Sequence, residues 1–207
     1  MNRFGQIDVL VNNAGIIVPG PIEILPQSTF QLCTDTNMGG AMRMARAVAP
    51  HMRAAGSGTI VHASSALAHA AGPMMSSYCA SKSAAEIATE TYELAHSNIE
   101  VAIVQVAAAY PTKIQTNGLR YWNDTLAALG DKANALRTIY EPHIGAMLQD
   151  FQHTPTTDNW DVPNAIIAMT ALPFGARPGR LIVGADAPDL KAINAANAAM
   201  QDNMINN

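Results

Sequence analysis

Charge is scarce in this chain: 14% of its 207 residues are Asp, Glu, Lys or Arg, 49% are hydrophobic, and the net charge is −4. Sixteen acidic against twelve basic residues leave no basic patch to meet a phosphate backbone, so nucleic acid is excluded as a partner. Cysteine is nearly absent. Cys33 and Cys79 both fall in helically patterned stretches and read as small core side chains of a reducing compartment, not as a disulfide pair. No apolar run approaches the roughly eighteen residues of a membrane span. The opening MNRFGQ lacks the basic region and long apolar core of a signal peptide, so the expected place is the cytoplasm, with no membrane partner. The six histidines (His51, His62, His69, His96, His143, His153) show no H-E-x-x-H or paired ligand spacing, and no metal is expected. Internal repeats and low-complexity linkers are also missing. The length fits one domain, residues 1–207, with a sizeable core. So apolar a composition is explained by contacts buried between copies, in a homo-oligomer of two or four chains.

What the chain does have is a constellation in the run SSALAHAAGPMMSSYCASK: Ser65, then Tyr78, then Lys82 four residues later. In a helix that last spacing sets phenol and ammonium side by side. A nearby cation favours the phenolate, so a tyrosine that ordinarily titrates near 10 is expected to exchange a proton near neutral pH, as a general acid or base must. Alone, Tyr-x-x-x-Lys is a weak signal; its surroundings strengthen it. The stretch IDVLVNNAGI reads as a short strand, residues 8–11, entering a turn of Asn12, Asn13, Ala14 and Gly15, where a small residue lets the backbone approach a flat ligand. A second strand, residues 59–62, ends just before Ser65, and open α/β sheets place their ligands at such carboxyl ends. Between them runs a helix-period stretch with a start signal at Ser28 or Thr29 and a stop at Gly56; Asn37 lies within it.

With these four features in order, the chain resembles the short-chain dehydrogenase/reductase family from about Asp8 to its end. The resemblance implies an α/β fold, a Rossmann-like doubly wound parallel sheet, and a tetrad of Asn37, Ser65, Tyr78 and Lys82. Tyr78 would pass a proton to or from a substrate oxygen that Ser65 hydrogen-bonds. Lys82 would hold the nicotinamide ribose and depress the tyrosine pKa, and Asn37 would position a water leading to solvent. Asn12, Asn13, Ala14, Gly15, Tyr78, Lys82 and Thr112 would face an NAD(P) cofactor, with NADP as the default, and the substrate would be a small carbonyl or alcohol. Asn12 has a second reading as a strand-stabilising side chain.

Two departures stand beside the resemblance. Family members begin with a strand, a Gly-rich turn and a helix N-terminus for the pyrophosphate, then a strand that reads the adenosine ribose. No G-x-x-x-G-x-G run occurs here, and the chain starts near what corresponds to the fourth strand, so the expected fold is N-terminally truncated with its first strand exposed. Two readings of activity follow. One is an oxidoreductase that interconverts a carbonyl and an alcohol; the other is an impaired, truncated relative that serves as an oligomer partner or has no independent function. The second departure follows a strand at residues 100–106, where QVAAAYPTKIQT replaces the usual Pro-Gly. Aligned on Thr112, Ala107 and Ala108 take its place, and an alanine held in a left-handed conformation costs roughly 1–2 kcal/mol. Another register sets Pro111 and Thr112 there instead.

The remainder reads as a helix over residues 76–96, a largely helical substrate loop over residues 113–157, and a helix near residues 162–172. A strand at residues 180–183 and a tail helix from Pro188, fraying beyond Asn194, complete it. His69 either lines the substrate pocket or is an exposed loop histidine. Tyr121, Trp122 and Tyr140 are core, interface or substrate contacts. Met38, Met42, Met44 and Met52 are core or interface filler, and the Met38, Gly39, Gly40 run is a candidate helix–helix contact.

Overall fold

The computed structural model describes residues 5–90 and 97–205. Its centre is a parallel sheet of β1 (Val9–Asn12), β2 (Gly58–Ser65), β3 (Ile99–Val106) and β4 (Arg180–Val183), in that spatial order. The registers pair Leu10 with Ile60, Ile60 with Val101, and Val104 with Leu181. β2 is buried along its whole length, as a strand covered on both faces must be, and its side chains point alternately to the two layers. Ile60 packs with Leu10, Ile99 and the helix α2 (Gly40–Ala55) through Ala45, Val48, Ala49 and Met52. Its neighbour Val61 faces the opposite layer, with Ala102, Val104, Val183 and Met169 of the helix here called α6 (Asp161–Thr170). This is the doubly wound, Rossmann-like arrangement expected. β1 is the outer strand among the described residues, and its Val9 and Val11 are exposed.

The first helical stretch is interrupted. α1 (Gln27–Thr34) begins after Pro26, one to two residues before the expected Ser28 or Thr29 start, and gives way to a π turn, Asp35–Gly39, before α2. Gly56, at φ 76°, ends α2 as foreseen. Gly39 is not a helix–helix contact: a Cβ there would meet Asp35 Oδ1 at 2.6 Å, and the space holds the Asp35–Arg43 ion pair instead. α3 (Ser76–Thr89) carries Tyr78 and Lys82; residues 91–96, where the helix was expected to continue, lie outside the described residues.

After β3, α4 (Ile114–Leu129) and α5 (Asp131–Gln152) form a helical pair over the loops at the carboxyl end of the sheet. Trp122, Ile144, Met147 and Phe151 pack there on Ile24 and Met74. Gly118 makes the close approach possible, since a Cβ would sit 2.6 Å from the Phe151 ring. The tail helix α7 (Pro188–Ile205) runs past Asn194 instead of fraying, because the Asn194 amide pairs with Gln105 of β3.

Candidate active site

Ser65 is the last residue of β2 and caps a single 3₁₀ turn, Ala66–Ala68, its Oγ accepting the Leu67 N–H at 3.2 Å. α3 then returns along the sheet and sets Tyr78 and Lys82 one turn apart, both almost fully buried, with the Lys82 Nζ 5.8 Å from the Tyr78 ring centroid. Lys82 Nζ donates to the Ala63 carbonyl of β2 at 2.8 Å, which fixes its position against the strand. Gly15 completes the arrangement. A Cβ at that position would stand 3.3 Å from Asn37 Oδ1 and 3.5 Å from Lys82 Nζ, so a residue without one lets both side chains reach the turn after β1.

Asn37 works as a clamp. Its Oδ1 accepts the Ile16 N–H at 2.8 Å, while Nδ2 donates to the Ile16 carbonyl at 2.9 Å and to Ser81 Oγ at 2.8 Å. Ser81 in turn donates to the Tyr78 carbonyl at 2.8 Å, so the π turn, the glycine turn and the tyrosine helix are tied at one point. Both amide N–H groups are spent on protein partners. Asn12 follows its strand-stabilising reading, with Nδ2 3.5 Å from the Ala41 carbonyl. Asn13 and Ala14 are exposed beside Gly15. Thr112 stands apart in its contacts: it is exposed, and its Oγ1 accepts the Ile114 N–H at 3.4 Å at the start of α4.

The protonation picture differs from the expected one. Burial pushes the Tyr78 phenol up to about 12; the Ser65 hydroxyl opposes this only in part, and Cys33 and Cys79 add to it. Lys82 does not pull the phenol down, because burial draws its own ammonium to about 8 against the opposing charge of Glu86. Desolvation outweighs pairing at both groups. At neutral pH Tyr78 is therefore a protonated donor.

Several features escaped sequence reasoning. His62, three residues before Ser65 on β2, is fully buried with neither nitrogen partnered among the described residues, and burial takes it down to about 4. His69 does not stand in an exposed loop: it is half-buried, and its Nε2 lies 2.8 Å from the buried Glu86 carboxylate. Ala107 and Ala108 are unstrained, since Met74 and Asn98 are the only non-glycine residues at positive φ among those described. Ala107 simply continues the pairing, donating to the Val183 carbonyl at 2.8 Å. A cavity of about 430 Å³ opens between the loops around Pro21 and Pro73 and the side chains of Tyr140 and His143 on α5, with the half-buried Cys79 in its wall. Trp122 is core, and Tyr121 packs half-buried near Val18. Among the described residues no three His, Cys, Asp or Glu side chains are grouped to hold a metal, and no helix is long and apolar enough to cross a membrane.

Comparison with known proteins bears on this geometry. The family model for short chain dehydrogenases matches residues 1–127, which include all four tetrad positions. The chain belongs to that family. Within it, the chain is 29% identical over 172 residues to the mitochondrial D-beta-hydroxybutyrate dehydrogenase of Mus musculus, covering 78% of this chain and 49% of that one. A solved short-chain dehydrogenase from Streptomyces avermitilis superposes with TM-score 0.71 at 27% identity, over 97% of this chain and 70% of the other. The gluconate 5-dehydrogenase of Burkholderia cenocepacia, solved with NADP and tartrate, matches at 30% identity and TM-score 0.53, over 56% of this chain and 46% of that one. The chain spans a third to a half of the length of the curated short-chain dehydrogenase relatives it matches.

Proposed function

We propose that this chain carries the catalytic half of an NAD(P)-dependent oxidoreductase that interconverts a carbonyl and an alcohol. The observation that carries the reading is Lys82 reaching both the turn at Gly15 after β1 and the Ala63 carbonyl of β2, with Tyr78 one turn before it on α3 and the Ser65 hydroxyl at the end of β2 hydrogen-bonded to the phenol. Nicotinamide supplies the hydride in such chemistry. The residues present fit its ribose end: Asn13 and Ala14 are open, Gly15 offers no Cβ, and Lys82 keeps two N–H groups beyond its bond to Ala63. The B. cenocepacia relative was solved with NADP, which makes NADPH the first cofactor to try. As hydride reaches the carbonyl carbon, the Tyr78 hydroxyl delivers its proton to the oxygen while the Ser65 hydroxyl donates a hydrogen bond to it. A phenol held up near 12 by burial is protonated at neutral pH and so stands ready as the donor. The α4–α5 pair serves as the substrate cover, and the cavity beside it suits a partly apolar molecule.

A panel of aldehydes and ketones incubated with NADPH, read by the loss of nicotinamide absorbance, tests the reading. Ser65→Ala is expected to slow reduction by roughly 10²-fold, with circular dichroism unchanged. Equal rates in the two proteins would remove Ser65 from the chemistry. A second reading, a partner for longer relatives, is favoured by Leu32, Met44 and Ile87, apolar side chains exposed on the helices flanking the site.

A further inference from the structure

The loop after β1 and the loop before α3 are pinned together and then part. The Gly20 N–H donates to the Met74 carbonyl at 2.7 Å, and Ser77 Oγ donates to the Val18 carbonyl at the same distance. No side chain fits at the pin: a Cβ on Gly20, at φ 148°, would stand 2.9 Å from Leu25 Cδ2. Beyond it the loops border the cavity of about 430 Å³, and α5 adds Tyr140, whose Oη donates to Glu23 Oε1 at 2.5 Å. Ser76 and Cys79, one turn apart on α3, bring that helix into the wall. Tyr78 lies between them in sequence but on another side of the helix, and neither it nor Ser65 lines the cavity.

The walls carry no fixed charge. None of the lining residues is Asp, Glu, Lys or Arg, and Pro21, Ile22, Pro73 and Met74 present apolar surface. The Tyr140 hydroxyl is spent on Glu23 and Ser76 Oγ is buried, which leaves His143 as the exposed polar side chain. An anion that entered would give up its water, meet neither Lys nor Arg in the wall, and find the Glu23 carboxylate behind Tyr140. A methylene buried there instead tightens binding by roughly fourfold. The volume falls toward the lower end of the roughly 300–1,000 Å³ of small-molecule pockets, which suits an alkyl chain of medium length. Ile22 is 73% exposed, an apolar side chain in the wall that an occupant would cover.

We propose that this cavity binds the uncharged aliphatic tail of a ketone or aldehyde, turns away tails that end in an anion, and owes that choice to Ile22 as a specificity-determining residue. The inference rests on the oxidoreductase reading for the carbonyl at the other end of the ligand, but its test needs no turnover. The full chain with ¹³C-methyl methionine is titrated by NMR at pH 8 with 2-octanone, with 2-hexanone and with 7-oxooctanoate, which matches 2-octanone in chain length and adds a carboxylate. Met74→Leu serves only to assign the Met74 signal, and the affinities come from the wild-type protein. Saturable shifts of the Met74 methyl are expected with 2-octanone, at least roughly tenfold tighter than with 2-hexanone and than with 7-oxooctanoate. No shift with any of the three, or equal affinity for 2-octanone and 7-oxooctanoate, overturns the proposal. Ile22 is exposed enough to be replaced without disturbing the core. Ile22→Lys is expected to narrow or reverse the preference by roughly tenfold, and an unchanged preference in that variant overturns the proposal as well. Reduction is scored separately with NADPH: 2-octanone that binds at Met74 but is not reduced would overturn the oxidoreductase reading and uphold the cavity's choice of tail.

Discussion

His62 lies in the middle of β2, 1% exposed, with both ring nitrogens unpartnered among the described residues. Burial holds it neutral, at about 4 against an ordinary 6.5, and the Lys82 charge adds to the shift. A group whose folded pKa is depressed contributes stability that is fully present above the unfolded value and lost as pH falls through the folded one. The window here is pH 6.5 down to 4, and the loss is on the order of 3 kcal/mol. Urea unfolding is expected to show that decline, and His62→Leu to flatten it; an equal decline in the variant would place the acid sensitivity elsewhere. Nothing in the sequence marked this histidine, because its neighbours Val61 and Ala63 say only that the strand is apolar, not that no hydrogen-bond partner comes within reach. The tyrosine pKa was misjudged for the same reason. Spacing alone puts Lys82 beside Tyr78, but only the folded chain shows that both are out of water and that desolvation dominates.

At the scale of elements, the strands were legible to within one to three residues, since short apolar runs bounded by Gly and Asn have few alternatives in an α/β chain. The π turn was not. Helical periodicity cannot register one extra residue in a turn, and this one is held by tertiary bonds from Asn37 to Ile16 and Ser81. The turn after β3 was also misread as strained. It is relaxed by Gly184, whose φ of 102° and missing Cβ make room for Tyr110 Oη at 2.7 Å and Ala108 Cβ at 2.8 Å. Gly184→Ala is accordingly expected to destabilise the fold by roughly 1–3 kcal/mol, seen as a lower urea midpoint with unchanged slope. A neutral substitution would mean that this turn adapts freely.

For the molecule as a whole, the residues proposed to be catalytic could be read from the sequence because their spacing within one helix and one strand end is local. The bonds from His69 to Glu86 and from Gln105 to Asn194 could not, since they join positions far apart in the chain. The chain contains no G-x-x-x-G-x-G run to grip a pyrophosphate, so the proposed dinucleotide would be held mainly at its nicotinamide end. Losing even three charge-assisted hydrogen bonds weakens binding by at least roughly a thousandfold, which puts the useful cofactor concentration in the millimolar range. The most direct test is therefore made there. Wild-type chain and Tyr78→Phe are incubated with millimolar NADPH carrying deuterium at C4 and a reactive ketone, and deuterium in the alcohol is counted by mass spectrometry. The account predicts slow transfer by the wild type and a loss of at least roughly 10²-fold in Tyr78→Phe with the fold intact. Equal transfer by the two proteins, or none by the wild type, would contradict it.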